Sequence, residues 1–464
     1  MRPIEYLMVV LVACYLVAPN LFWRPWIPIL AALAGVAHLI MEGYRWQMVP
    51  LYALVTTLAV GCAVQLITRR LPTTRVKGRA LVLRTVGLAC LLAFGAAPVL
   101  FPVPVLPEPG GPHRIGTVSF QWTDPARLEA YTAAPDDQRT IMVQVWYPAT
   151  PAKDAKTAPW MNRLDVAGPV IAGYLNLPSF FLDHAALVQT HSYADAPADG
   201  AEAAYPVVIY SHGWNGFRTI NVNESEALAS QGYIAVAVDH TYGAMVTVFG
   251  DGQVALNNPA ALPDRDVVGP AEYTRATQQL EATYAGDLEF ALDQLARVNS
   301  GEIAGPLTGK LDLSRVGVYG HSTGGGATVV FCAADDRCDA AFGQDPWVGP
   351  VPDDVIAAGL RQPFLAMMSE TWSTGENTAR LDTLQAAGAG DNYRLVIAGT
   401  KHYDFTLLPL LTPLAPALGL KGPLSAERVL PITTNYLVAF FDYYLKGTGA
   451  VALAGYPEVS FEQR

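Results

Sequence analysis

The feature that most constrains the fold is a short run of small residues around one serine. Residues 320–324 read GHSTG and fit the pattern G-x-S-x-G. The chain contains 40 glycines, so the pattern alone would also fit an ordinary glycine-rich turn. Residues 316–319 read as a buried strand, however, and residues 327–334 read as a helix. A strand, a sharp turn and a helix in this order favour an exposed hydroxyl at Ser322, as a nucleophile requires.

Strand-like and helix-like patterns alternate from residue 113 onwards. Residues 140–147 have the period-two pattern of a strand, and residues 271–298 have the apolar spacing of an amphipathic helix. The expected strands are 140–147, 205–210, 234–239, 316–319, 340–342, 363–368 and 393–397, and the expected helices are 224–230, 271–298, 327–334 and 433–445. This alternation predicts an α/β fold with a mostly parallel central sheet flanked by helices.

Residues 1–104 contain apolar runs at Ile4–Ala18, Ile27–Met41, Val49–Ile67 and Thr85–Pro104. Only the third run has a comfortable length for a membrane span, and prolines interrupt or flank the others. We expect a transmembrane helical region of about four spans at 1–104, a Pro/Gly linker at 105–112 and a catalytic domain at 113–464. A cleaved signal peptide is the rival interpretation of the first run, and a buried soluble helical domain is the rival for the whole region.

The distribution of charge predicts the orientation of these spans. Residues 1–112 hold nine Lys and Arg against three Asp and Glu, whereas residues 113–464 carry a net charge of −17. The loop between the third and fourth runs contains Arg69, Arg70, Arg75, Lys77, Arg79 and Arg84. The positive-inside rule places this loop in the cytoplasm. We therefore expect a multi-pass protein of the bacterial inner membrane whose catalytic domain is extracytoplasmic, and the acidic domain offers no basic patch for nucleic acid.

A serine nucleophile needs a base and an acid, which α/β-hydrolases supply in the chain order Ser, Asp or Glu, His. His402 is the one histidine after Ser322 in the sequence, and it follows a predicted strand directly. Asp345 and Glu370 both follow strand ends between these two residues. Asp404 is too close to His402 in sequence to orient it easily. Position alone therefore leaves the choice between Asp345 and Glu370 open.

Two backbone N–H groups are needed to stabilise the oxyanion of an acyl-transfer reaction. We expect one from Thr323, directly after the nucleophile, and the other from Trp214, in the loop after the strand 205–210. The Trp214 side chain is also a candidate wall of the acyl pocket. His212 and His240 read as structural residues of neighbouring turns.

Several blocks of the sequence resemble the plasma and intracellular single-chain platelet-activating factor acetylhydrolases, a family of α/β-hydrolases. The blocks are YPVVIYSHGWNGFR at 205–218, LASQGY at 228–233, GHSTGG at 320–325, DPW at 345–347, HYDF at 402–405 and LKG at 420–422. They lie within about residues 139–446. The family places its acid after the strand that follows the elbow helix, which implies Asp345 in this chain.

The resemblance implies a calcium-independent serine esterase that prefers short or oxidised sn-2 acyl chains of phospholipids, and we expect no cofactor. Thr323 stands where the family has Phe, which leaves the acyl preference open, and the apolar N-terminal region is foreign to the well-known members. Bacterial polyester hydrolases and cutinase-like esterases have similar elbows. A general carboxylesterase or polyester hydrolase of extracytoplasmic esters is therefore the alternative. A scaffold built on a dead hydrolase is disfavoured, because Ser322, His402 and a candidate acid are all present.

The cysteines form two groups. Cys332 and Cys338 lie six residues apart behind the elbow, and we expect a disulfide between them in an extracytoplasmic domain, with two buried free thiols as the open alternative. Cys14, Cys62 and Cys90 lie inside apolar runs. No cluster of Cys and His has the spacing of a zinc site, so we expect no metal.

Two apolar stretches have no place in the expected sheet. Residues 405–421 are nearly all apolar and are broken by prolines, and the insertion 160–189 is rich in aromatic and aliphatic residues. Such stretches either pack as a lid or form an interaction surface. We expect them to frame the mouth of the pocket and to meet lipid of the outer leaflet. The candidate substrate-binding residues are Phe180, Phe181, Trp214, Trp347 and Leu408.

Overall fold

The structure is a computed structural model that describes residues 1–18, 23–68, 77–373 and 375–464, with residues 77–80 described by their backbone only. The chain divides into two compact units. The N-terminal unit comprises Met1–Pro104, Ala172–Val188 and Leu411–Leu414, and the sheet unit comprises Val105–Ile171, Gln189–Leu410 and Ala415–Arg464. The first boundary falls at Pro104. Two short segments from later in the chain group with the N-terminal helices, which the sequence analysis did not anticipate.

The described helices before the boundary are α1 (Pro3–Val17), α2 (Ile27–Met41), α3 (Val49–Thr68) and α4 (Lys77–Leu100). Among the described residues, three helical stretches are long and apolar enough to cross a membrane: Arg24–Met41, Trp46–Thr68 and Leu81–Leu100. The 15 residues of α1 fall short of that length, so three rather than four of the expected spans have it. Most of the basic loop that we expect in the cytoplasm, including residues 69–76, lies outside the described residues.

Polar side chains join the helix ends on one side of the N-terminal unit. Arg45 Nε donates to Glu5 Oε1 (2.8 Å), and Arg45 Nη1 donates to the carbonyl of Phe101 (3.0 Å). His38 lies between Glu5 and Tyr52, with ring nitrogens 3.1 Å from Glu5 Oε1 and 2.7 Å from Tyr52 Oη. These contacts bring the beginnings of α1 and α3 to the ends of α2 and α4. Such an arrangement is expected of neighbouring helices that run alternately in opposite directions.

The sheet unit is built on a sheet whose described strands follow the order β13-β12-β11-β10-β9-β5-β6-β2-β1-β4-β3. The strands are β1 (Arg114–Leu128), β2 (Gln138–Ala149), β3 (Thr157–Pro159), β4 (Gln189–Ala194), β5 (Tyr205–Ser211), β6 (Ile234–Asp239), β9 (Leu311–His321), β10 (Ala340–Gln344), β11 (Phe364–Ser369), β12 (Asn392–Ile397) and β13 (Val459–Gln463), and β7 (Val246–Val248) pairs with β8 (Val254–Leu256) separately. The run from β6 to β12 is parallel, and β1, β2 and β13 join it in antiparallel pairs.

Helices connect and flank these strands. They are α5 (Leu164–Tyr174), α6 (Val222–Ser230), α7 (Arg265–Val268), α8 (Pro270–Asn299), α9 (Thr323–Ala334), α10 (Asp353–Ala358), α11 (Glu376–Ala387) and α12 (Ala426–Lys446). Central strands such as β5, β6 and β11 are buried along their whole length, which explains their nearly continuous apolar sequences. The predicted α/β architecture with a mostly parallel central sheet is confirmed.

Parallel strands end at the same edge of a sheet, and residues that follow them meet there. The loop with Trp214 follows β5, Ser322 follows β9, Asp345 follows β10 and His402 lies five residues beyond β12. The topology therefore brings these four residues to one edge, although 188 positions separate the first from the last in the sequence.

Candidate active site

Ser322 stands at the turn between β9 and α9 with φ 57° and ψ −120°, a backbone conformation that non-glycine residues rarely adopt. Two glycines make this turn possible. A Cβ on Gly320 would lie 2.1 Å from the carbonyl oxygen of Gly324, and a Cβ on Gly324 would lie 2.1 Å from that of Ser211. No side chain fits at such distances, so the spacing of the glycines follows from the close approach of strand and helix.

Asp345 follows β10 and is wholly buried. Its Oδ2 lies 3.0 Å from His402 Nδ1, and its oxygens accept hydrogen bonds from the backbone N–H and the hydroxyl of Ser369, both at 2.6 Å. Glu370 instead accepts a hydrogen bond from the backbone N–H of Gly399 (2.8 Å). Of the two carboxyl groups that sequence position left open, the geometry brings Asp345 to the candidate base.

Two further rings fix the imidazole of His402. Trp372 stacks on it with ring centroids 4.3 Å apart and an angle of 20° between the planes. The ring of His321 lies 4.4 Å away, and His321 Nε2 lies 3.0 Å from the carbonyl oxygen of His402. Because a carboxylate can only accept, Nδ1 of His402 carries the hydrogen that bonds Asp345, and Nε2 is left to accept a proton.

Burial governs the protonation of this group. Loss of water contact lowers the pKa of His402 to about 4 and the pKa of His321 to about 3. Burial also raises the pKa of Asp345, whereas the hydrogen bonds from the backbone N–H and the hydroxyl of Ser369 favour its ionised form. Both imidazoles are therefore neutral at pH 7, which is the state that a general base needs.

The loop after β5 lies against Ser322, the candidate nucleophile. A Cβ on Gly213 would be 2.9 Å from the Cβ of Ser322, so the loop can approach this closely because residue 213 is a glycine. In the part of the chain that the structure describes, the backbone N–H groups of Trp214 and Thr323 have no hydrogen-bond partner. Thr323 is the first residue of α9, where a helix leaves its N–H unpaired. Both expected oxyanion donors thus have unpaired N–H groups within the described residues.

His212 and His240 support the same loop from inside. The N–H of His240 donates to His212 Nε2 (3.1 Å), and His212 Nδ1 donates to the carbonyl of Gly213 (2.7 Å). His240 Nδ1 lies 3.0 Å from Asp287 Oδ2. Burial lowers the pKa of both histidines. These contacts fit the structural role expected from the sequence.

Three of the candidate substrate-binding residues belong to the sheet unit. The backbone N–H of Trp347 donates to the carbonyl of Ser322 (2.9 Å), which keeps Trp347 beside the elbow. The Trp214 side chain packs against an apolar cluster that includes Tyr284 of α8. Leu408 begins a short 3-10 turn, Leu408–Leu410, after the segment that carries His402.

Phe180 and Phe181 are placed elsewhere. Both belong to the N-terminal unit, where their ring centroids lie 5.6 Å and 5.4 Å from that of Trp46. Phe181 also packs edge-on against Phe101 at 4.9 Å. The structure therefore groups these two residues with the apolar helices and not with the unit that contains Ser322.

Sequence reasoning missed three residues of the site. Ser369 ends β11 and directly precedes Glu370, and a serine at a strand end gives no signal of its own in the sequence. Trp372 stacks on His402 from a loop whose sequence shows no pattern. His321 occupies a variable position of the elbow motif, and its contact with the His402 carbonyl depends on the packing of two distant loops.

Cys332 of α9 and Cys338 form a disulfide with Cα atoms 5.2 Å apart, as predicted. The bond closes the connection between the elbow helix and β10, the strand that leads to Asp345. The free cysteines of the described residues are Cys14, Cys62 and Cys90.

Comparison with known proteins was consistent with this arrangement. A family model described as platelet-activating factor acetylhydrolase, isoform II, matches residues 102–448. The platelet-activating factor acetylhydrolase of Cavia porcellus is 27% identical over 254 residues, which are 52% of this chain and 58% of that protein. The acetylhydrolase of Gallus gallus is 22% identical over 368 residues, 73% of this chain and 83% of that protein. The match to the Cavia porcellus protein therefore spans little more than half of that protein's length.

Two further matches extend over more of the partner protein. A probable 1-alkyl-2-acetylglycerophosphocholine esterase of Arthroderma benhamiae is 24% identical over 401 residues, 77% of this chain and 93% of that protein. A ferulic acid esterase from Streptomyces cinnamoneus has a solved structure that superposes with a TM-score of 0.64 at 27% identity. This alignment covers 78% of the present chain and 99% of the esterase.

Proposed function

The chain belongs to the platelet-activating factor acetylhydrolase family, and we propose on that premise that it is a serine ester hydrolase. The observation that carries the proposal is the 3.0 Å contact between His402 Nδ1 and Asp345 Oδ2, at the same sheet edge as the strained turn of Ser322. A nucleophile, a base and an orienting acid at neighbouring strand ends are the groups that ester hydrolysis through an acyl-enzyme requires.

In the proposed mechanism, Ser322 Oγ attacks the carbonyl carbon of the ester while His402 Nε2 takes the hydroxyl proton. Asp345 holds the ring in the required tautomer and stabilises the imidazolium that forms. The N–H groups of Thr323 and Trp214 bind the oxyanion of the tetrahedral intermediate. His402 then gives its proton to the leaving alcohol. A water molecule, deprotonated by His402, attacks the acyl-enzyme in the same way and releases the carboxylic acid and Ser322.

We propose that these steps need no metal ion, because the base and the oxyanion donors are all groups of the chain. Glu5, His38 and Glu42 are described residues with ligand atoms close enough for a metal. Arg2 lies 3.0 Å from Glu5, and Arg45 also pairs with it, so cationic groups already contact that carboxylate. Hydrolysis undiminished by EDTA is the expected result. Activity that returns only on addition of a metal would contradict it.

As substrates we propose phospholipids with short or oxidised sn-2 acyl chains, in keeping with the names of the acetylhydrolase and acetylglycerophosphocholine esterase relatives. The second candidate is a general carboxylesterase or polyester hydrolase of extracytoplasmic esters. The likeness to a ferulic acid esterase over 99% of that protein favours this candidate.

A panel of esters separates the two candidates. We would measure kcat/KM on an sn-2 acetyl phospholipid, its long-chain analogue, a p-nitrophenyl ester and a feruloyl ester. The first candidate predicts the highest value for the acetyl phospholipid. A highest value for either of the last two esters would favour the second candidate, and an enzyme inactive on all four would contradict both.

We propose that the N-terminal helices anchor the enzyme as a multi-pass protein of the bacterial inner membrane, with the catalytic domain outside. Three stretches of the described helices have the length and composition of spans. The basic residues between α3 and α4 favour a cytoplasmic loop. The Cys332–Cys338 bond is typical of a domain in an oxidising compartment.

We further propose that an interfacial cluster of Trp46, Phe101, Phe180 and Phe181 contacts lipid of the outer leaflet, from which the substrate is taken. Trp46 begins one apolar stretch, and Phe101 directly follows the end of another. Trp46 Nε1 donates to the carbonyl of Phe181 (3.0 Å), and 47% of Phe180 is exposed. Aromatic rings at the ends of spans are typical of the membrane–water interface.

A further inference from the structure

A buried carboxyl group outside the proposed triad lies beneath the site. Glu224 is on α6, the helix that follows the loop with Trp214, and it is 2% exposed. In the part of the chain that the structure describes, it forms no ion pair with Lys, Arg or His. Burial raises the pKa of Glu224 to about 7, while hydrogen bonds from Asn221, Gln344 and Thr433 oppose the rise. A carboxyl group buried without a cation is costly, and the mechanism given above does not use it.

Two amide side chains bind the oxygens of Glu224. Gln344 Nε2 donates to Oε1 (2.7 Å), and Asn221 Nδ2 donates to Oε2 (2.9 Å). The Asn221 amide also lies 3.3 Å from Gln344 Oε1. The three side chains thus form one closed network in which Glu224 is the acceptor for both partners.

Each partner is connected to a different part of the triad. Gln344 immediately precedes Asp345, and its carbonyl accepts the hydrogen bond of the Ser322 N–H (3.0 Å). Asn221 Nδ2 also donates to the carbonyl of Phe405 (2.9 Å), three residues after His402. Gln344 is therefore joined to Ser322 by a hydrogen bond and to Asp345 by a peptide bond. Asn221 is joined by a hydrogen bond to the segment that carries His402.

We propose that Glu224 is a positioning residue that holds the His402 segment in register with Ser322 and Asp345 through Asn221 and Gln344. This inference rests on the proposed serine hydrolase function. An acceptor is needed at this place because both partners present NH₂ groups. An amide at position 224 would set one NH₂ group against another and leave a buried donor unpaired.

The test is the isosteric variant Glu224→Gln, compared with the wild type at equal concentrations of fluorophosphonate-titrated active sites. We expect kcat on p-nitrophenyl acetate to fall about 10- to 100-fold, the loss that a small misplacement of a catalytic group causes. KM should change less than about threefold, because the three side chains are buried and none belongs to the proposed oxyanion hole or acyl pocket. Asn221→Ala, which frees the His402 segment but leaves the carboxyl group, should lose kcat in the same way and serves if Glu224→Gln does not fold.

Glu226→Gln is the matched control. Glu226 lies on the same helix, is equally buried and accepts hydrogen bonds from His191 N, His191 Nδ1 and Ser192 Oγ, all at 2.8 Å. These partners belong to β4, away from the triad, so kcat per titrated site should stay within about threefold of the wild type. An equal fall of kcat in this control would overturn the proposal, because loosening of α6 in general would then explain both losses.

The exchange variant Glu224→Gln/Gln344→Glu tests whether the network needs one carboxyl group that accepts hydrogen bonds from two amide groups. It places the acceptor on position 344 and the amide on position 224, so that Asn221 and Gln at 224 can both donate to the new carboxylate. We expect the kcat of the exchange variant to be at least about tenfold higher than the kcat of Glu224→Gln. If the exchange variant folds and can be titrated but its kcat does not rise, the positioning role of Glu224 is refuted. A kcat of Glu224→Gln equal to that of the wild type would refute it too. Failure of the hydrolase function itself would appear separately, as a wild type that the fluorophosphonate does not label.

Discussion

At the scale of single residues, two carboxyl groups that are alike in sequence position differ in their contacts. Asp345 is bound to His402 and Ser369, whereas Glu370 caps the backbone at Gly399. We expect Asp345→Asn to lower kcat about 10³- to 10⁴-fold, since an amide no longer fixes the tautomer of the base. Glu370→Gln should stay within about threefold of the wild type. Steady-state kinetics of both variants measures the two losses of kcat. A larger loss in Glu370→Gln than in Asp345→Asn would indicate that Glu370 is the acid.

The protonation of His402 also belongs to this scale. Burial lowers its pKa to about 4, below the ordinary 6.5, so the neutral form that the proposed mechanism requires of its base persists to lower pH. We expect kcat/KM to stay high from pH 8 down to about 6 and to fall only below that. The pH profile of kcat/KM on a non-ionising ester measures this limb. A midpoint at or above pH 6.5 would show that the ring is not desolvated as described.

At the scale of secondary-structure elements, the close approach of β9 and α9 is the most demanding feature. A Cβ on Gly320 would lie 2.1 Å from a backbone oxygen that cannot move aside, so we expect Gly320→Ala to destabilise the sheet unit by at least about 3 kcal/mol. Gly200→Ala is the control, because a Cβ there meets nothing within 4 Å. Chemical denaturation measures both. A Gly320→Ala variant as stable as this control would contradict the geometry of the turn.

The sequence predicted the central elements well, because their patterns are strong. The apolar runs at 234–239 and 393–397 agree with β6 and β12 to within one residue, and α8 follows its amphipathic pattern. The strands β1, β3 and β4 at one end of the sheet and β13 at the other were missed, because they are partly exposed and lack a long apolar run. Helix α12 begins at Ala426, seven residues before the expected start, because the helix continues through Pro431.

The site was predictable to the extent that chain order determines it. Ser322 and His402 follow from a motif and from the position of one histidine, whereas the choice of Asp345 needed either the family resemblance or the structure. Trp372 could not have been found, because its stacking on His402 depends on the path of a loop after β11. The apolar character of Phe180 and Phe181 predicts a place at the pocket mouth, but it does not tell which unit the two residues pack against.

At the scale of the whole molecule, a lipid-facing cluster should affect only substrates presented in a membrane. We expect the variant Phe180→Ser to lose on the order of 10-fold in rate on vesicle-borne phospholipid, because apolar area is removed from the lipid interface. Its rate on p-nitrophenyl acetate should be unchanged. Leu256→Ser, at a residue of the sheet unit that is 51% exposed, is the control and should alter neither rate. Equal losses on both substrates would indicate damage to the fold.

The central claim is that Ser322 is the nucleophile of an acyl-enzyme, and covalent labelling tests it most directly. The full-length protein would be treated with a fluorophosphonate and its peptides analysed by mass spectrometry. We predict one adduct per chain on Ser322, with label and hydrolysis both lost in Ser322→Ala and labelling slowed by several orders of magnitude in His402→Ala. An adduct on another residue, or ester hydrolysis that persists in Ser322→Ala, would contradict the account.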